Sequence, residues 1–217
     1  MIVRSLFCAL ALSLCCAGAV FAAADATYTG PESAAERTFV ARIQADLMKR
    51  FPRAGDAVAS GYVRYTDVDD TGAISYANCG WSSVDGEHPS QLWYDRKGAL
   101  LGADFSVLRV RPGESAPHVW GIDPGRWAQL DGHVHWVTKN PATGVASFGH
   151  YMPDAKFSAA GGNPRHPSAR TLLAAHRVRS AADVVAIFHF PALWDLPVWV
   201  KPNANGAFAE KNPAVTP

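Results

Sequence analysis

The sequence predicts an α+β fold: an N-terminal amphipathic helix packed on a strongly bent antiparallel sheet or partial β-barrel. Two observations carry this. Residues 34–51 form one helical segment with a single apolar face, and everything after Tyr62 breaks into short runs rich in Val, Tyr, Trp and Phe separated by turn residues. The helix has a start signal in Ser33, followed three residues later by Glu36, and a stop signal in Pro52. Phe39, Val40, Ile43, Leu47 and Phe51 share one face, a packing stripe.

Strands are expected over residues 62–66, 74–78, 92–94, 100–110, 118–122, 133–138, 145–151, 184–190 and 198–200. Asp95 to Gly98, in "YDRKGALLGADF", supply the plainest hairpin turn. Ser168 starts a short helix carrying Leu172 and Leu173, while Ser180 and Asp183 either open another helix or precede a strand. The segment "SAAGGNPRHPS" reads as a long polar loop.

Ahead of the helix, Arg4, the apolar run 5–20 and the small residues of "FAAADA" have the form of a secretory signal. The expected organisation is a signal peptide at 1–24, one globular domain at 25–200 and an irregular tail at 201–217 that wraps over the domain or a neighbouring subunit. Such a protein is secreted or periplasmic, with no membrane attachment after cleavage. The run 183–200 is apolar but contains His189, Pro191, Asp195 and Pro197, which argues against a membrane span. Of the four cysteines, Cys8, Cys15 and Cys16 leave with the signal. Cys79 remains, so no intramolecular disulfide can form, and it reads as a small buried residue.

The full chain has 20 basic and 19 acidic residues, and loss of Arg4 leaves the mature chain balanced. A neutral surface without a basic run argues against nucleic acid as a partner.

The chemical hypothesis lies in "LDGHVHWVTKNPATGVASFGHYM". His133 and His135 fall on one face of a strand. "PATG" makes a hairpin loop in which Pro141 fixes φ and Gly144 takes the left-handed conformation, so Asn140 faces Val145. An unbroken ladder from that loop places His150 opposite His135 and Met152 opposite His133. The three imidazoles then share a face and could bind Zn, Cu or Fe with a position left open for substrate, Met152 adding a soft ligand for copper and His118 a replacement. A slip of one residue sends His150 to the other face. The H-x-H spacing is similar to the first motif of cupins, but the glutamate that follows it there is missing here, and the chain is not assigned to that family.

Weaker signals are "DVDDTGAI", which has the spacing of the start of a calcium loop but lacks its final acid, and the pair Glu87 and His88 in a turn. Three functions follow as expectations: a metal-dependent enzyme using His133, His135 and His150; a non-catalytic module binding a small-molecule ligand in an aromatic pocket lined by residues such as Trp81, Trp93, Trp120, Trp127 and Trp136; and a homo-oligomeric structural protein.

Overall fold

The computed structural model describes residues 30–78, 80 and 86–217. The expected signal peptide, Cys79 and Trp81 lie outside the described residues. The first element is helix α1, Ala34–Arg50, and its start is the capping box read from the sequence: Ser33 Oγ accepts from Glu36 N at 3.1 Å, and Glu36 Oε2 accepts from Ser33 N at 2.8 Å. Glu36 does a second task. It forms a buried ion pair with Arg126 at 3.2 Å and accepts from Asp123 N. Burial alone would raise its carboxyl, but Arg126 and the Ser33 and Asp123 N–H groups hold it below its ordinary value.

Two antiparallel sheets follow. The six-stranded sheet runs β1-β2-β3-β4-β9-β5, from β1 (Val63–Arg64), β2 (Ile74–Ala77), β3 (Gln91–Tyr94), β4 (Leu100–Leu108), β5 (Ala128–Leu130) and β9 (Leu193–Trp199). The three-stranded sheet runs β7-β6-β8, from β6 (His133–Lys139), β7 (Ala146–Pro153) and β8 (Val184–Phe190). Short helices α2 (Ala54–Ala59), α3 (Asp154–Ala159) and α4 (Ala169–Ala174) complete the order. The fold is thus α+β with the N-terminal helix on an antiparallel sheet.

Buried side chains define the layers. Phe39, Val40, Ile43 and Leu47 of α1 pack on Leu92, Ala103, Phe105, Leu196 and Val198 of the six-stranded sheet. The opposite face of that sheet meets the three-stranded sheet through Tyr65, Ala77 and Leu193 against Val137 and Phe190. The outer face of the smaller sheet, Val134, Trp136 and Met152, is covered by Phe157 of α3 and Leu172 of α4.

Two strand expectations are corrected. Residues 118–122 form no strand, because Trp120 (φ 57°) and Gly121 (φ 71°) both take left-handed conformations. The last strand starts at Leu193, five residues earlier than expected. Pro197 is tolerated inside it because β5 pairs only with Leu193, Trp194 and Asp195 on that side. After Ser180 the strand reading holds and the helix does not form: a 3₁₀ turn at Ala181–Asp183 leads directly into β8. The tail has no regular structure, yet it packs on its own chain, with Phe208 in the core, Asn212 buried and Trp199 Nε1 donating to Ala209 O at 2.6 Å. Among the described residues no helix is long and apolar enough to cross a membrane.

Candidate functional site

The β6–β7 hairpin begins as its loop sequence requires. Asn140 N donates to Val145 O at 2.8 Å, Gly144 takes φ 70°, and Lys139 faces Ala146 and Thr138 faces Ser147. The ladder then breaks. Phe148 and Gly149 together stand opposite Val137, a β-bulge with Gly149 at φ 75°, and beyond it Trp136 faces His150 and His135 faces Tyr151. The amide freed by the bulge is satisfied elsewhere, since Gly149 N donates to Tyr65 O at 2.8 Å.

This corrects the expected three-histidine face. His133 and His135 share the inner face of the smaller sheet, but the one-residue shift puts His150 on the outer face, its ring stacked on Trp136 at 5.6 Å and 13°. Met152 likewise pairs with Val134 and joins the outer cluster with Trp136. His118 lies in an irregular segment, and His189, on β8, turns to Asp154 at 3.0 Å. Among the described residues, no three His, Cys, Asp or Glu side chains gather around one point.

The inner pair is buried between the sheets. Nδ1–H of His133 donates to Asp131 O at 2.6 Å and that of His135 to His150 O at 3.1 Å, so each ring presents Nε2 as its lone-pair nitrogen, the atom that could hold a metal. The rings meet edge to face at 4.8 Å, and Tyr65, Phe188 and Phe190 surround His135. Burial pushes His135 down to about 3, reinforced by its neighbour His133, and lowers His133 as well. Both imidazoles are therefore neutral.

From Tyr65 a polar seam continues across the larger sheet. The Tyr65 hydroxyl donates to Gln91 Oε1, and Gln91 is the cross-strand partner of Asp104. Ala103 and Phe105 point to α1, so Asp104 and Ser106 point inward. There Asp104 and Asp195 are hydrogen-bonded to each other. Trp93 Nε1 donates to Asp104 Oδ2 at 2.8 Å, Ser106 Oγ donates to Asp195 Oδ1 at 2.7 Å, and Ser90 joins Ser106 at 2.5 Å. Burial, then the charge of Asp195, raises Asp104, and burial raises Asp195 too, so each carboxyl holds its proton to higher pH than an exposed aspartate does. An aspartate inside each of the apolar runs "LLGADFSVL" and "LWDLPVW" was the available sequence signal for this pair.

His150 belongs to a different site. It lines a cavity of about 750 Å³ between the β6–β7 hairpin and the chain that leaves α4, together with Thr138, Lys139, Ser147, Arg177, Arg179 and Asp183. Its Nε2 meets Ser147 Oγ at 2.9 Å, and burial followed by the charge of Arg177 lowers its pKa. The Arg177 guanidinium sits 5.9 Å from the Trp136 ring, the same indole that carries His150.

The backbone delivering Arg177 is strained. After α4, His176 N donates to Leu173 O at 3.0 Å and Arg177 N to Leu172 O at 2.8 Å, a Schellman ending with His176 at φ 53° where glycine is usual. Residues 177–179 then put Val between two arginines, and this alternation, "RVR", is the signal by which sequence reasoning could have found the cavity's cations.

The segment with calcium-loop spacing is a hairpin turn: Asp69 Oδ1 accepts from Thr71 N and Thr71 Oγ1, and Gly72 takes φ 81°. Glu87 pairs with Arg42 at 3.9 Å on the surface. No family model, no curated protein and no solved structure matches this chain.

Proposed function

We propose that the chain is an exported small-molecule binding protein and that its ligand is an anion held in the cavity beside the β6–β7 hairpin. The observation that carries this reading is the charge of the cavity wall. Lys139, Arg177 and Arg179 line it against a single carboxylate, Asp183, in a chain whose charges nearly balance overall. Guanidinium groups match carboxylate and phosphate oxygens as paired donors, and the Ser147 hydroxyl and His150 ring add neutral hydrogen-bonding groups beside them. A volume of about 750 Å³ falls in the range of small-ligand sites. Export rests on the signal-like segment at the start of the chain.

Calorimetric titration with acetate, sulfate and 2-naphthoate at low salt tests the proposal. At least one anion should bind, more weakly as salt is added. The double variant Arg177→Gln, Arg179→Gln should lose about tenfold or more, since a hydrogen bond to a charged group contributes about 1.5–3 kcal/mol. No binding by any of the three, or equal binding by the double variant, contradicts the proposal.

A further inference from the structure

We infer that the ligand of this cavity is an amphipathic organic anion, an anionic head on an aryl or branched-alkyl body, and not a compact inorganic ion. The inference rests on the anion-binding reading above and adds the class of ligand.

The first argument is size. A tetrahedral oxyanion has the bulk of a few water molecules at ~30 Å³ each. A cavity of about 750 Å³ leaves most of its space to something else.

The second is the chemistry of the wall. Pro141, Val145 and Val178 line the same cavity as the cations. Val145 is 63 % exposed, although its backbone carbonyl is fixed by Asn140 N at the base of the loop. A single exposed valine needs no explanation. Pro141 and Val145, both exposed beside the cations in one concavity, form a surface with both halves of an amphipathic ligand represented.

The third is preorganisation. The left-handed His176 holds the chain that carries Arg177, Val178 and Arg179, and Arg177 is further placed over Trp136. Backbone strain of this kind persists where the surroundings over-determine it, and ligand clamps are a common location. One short strained segment therefore presents two cations to the same space, while Val178 between them packs on the outer core cluster.

The experiment compares four probes on the full mature chain by calorimetry: 2-naphthoate, its neutral analogue 2-naphthamide, acetate and sulfate. Naphthoate should bind about tenfold or more tightly than each of the others, because only it uses both halves of the wall. Val145→Ser should weaken naphthoate about threefold or more. Val58→Ser, an equally exposed valine on α2 outside the cavity lining, should leave naphthoate binding unchanged and controls for folding. Acetate or sulfate binding as tightly as naphthoate overturns the inference and leaves the anion site standing. Naphthamide equal to naphthoate, or no binding by any probe, overturns both. Unaltered naphthoate binding in Val145→Ser overturns the inference.

Discussion

His150 lies across the β6–β7 ladder from Trp136, with its ring stacked on the indole at 5.6 Å, and His135 lies across from Tyr151. One bulge residue, Gly149, separates this arrangement from a continuous three-histidine face. The two halves of the histidine motif consequently serve different environments, an inter-sheet seam and an open cationic cavity.

Gly149→Ala tests the bulge. A Cβ at this position meets nothing within 4 Å, so the substitution carries no steric term, only the cost of a left-handed φ of 75°. Equilibrium urea unfolding should show a loss of about 1 kcal/mol. No loss would mean that the backbone at Gly149 is not left-handed.

Acid stability tests the neutral imidazole of His135. With a folded pKa of about 3 against an ordinary 6.5, the unfolded chain takes up the proton first. The stabilisation is therefore complete above pH 6.5 and is lost as pH falls toward 3. Between pH 7 and 4.5, His135→Phe should gain about 2.5 kcal/mol relative to the unmutated protein in urea unfolding. A difference independent of pH would refute a buried neutral ring.

Asp104→Asn should show the opposite slope. The carboxyl is raised by burial and by Asp195, so its contribution is complete below the unfolded value of 3.8 and is lost as pH rises through the folded value. The amide can still accept from Trp93 and donate to Asp195. Relative to the unmutated protein, the variant should gain stability as pH rises from 4 to 8, measured by thermal or urea unfolding. A gain confined to low pH contradicts a raised Asp104 carboxyl.

His176→Gly removes the strain at the end of α4. Stability should rise by about 1 kcal/mol, seen as a higher Tm, because glycine takes φ 53° without penalty. A decrease would mean that the His176 side chain makes contacts that outweigh the backbone term.

Local signals predicted local structure well. The Ser33 and Glu36 capping box, the Asp95 to Gly98 turn, the Ser168 cap and the "PATG" loop all appear where the sequence places them, because each depends on residues a few positions apart. The histidine site needed more. Its first two ladder pairs follow from the loop, but the bulge is stabilised by Tyr65 O, a partner 84 positions away from Gly149 in sequence, which no spacing near the loop reveals. The Asp104 and Asp195 pair is of the same kind: each aspartate stands out within its apolar run, but only the pairing of strands that carry them 91 positions apart in sequence brings the two carboxyls together. The cavity's cations come from the hairpin and from the turn after α4, and only the fold joins them.

The most direct test of the account follows the histidine ring resonances by NMR while 2-naphthoate is titrated into the protein. The account predicts that His150 Cε1–H and the Trp136 indole shift in a saturable manner, while His133 and His135 stay in place. Movement of His133 and His135 together with His150, or no movement of His150 at saturating ligand, would contradict it.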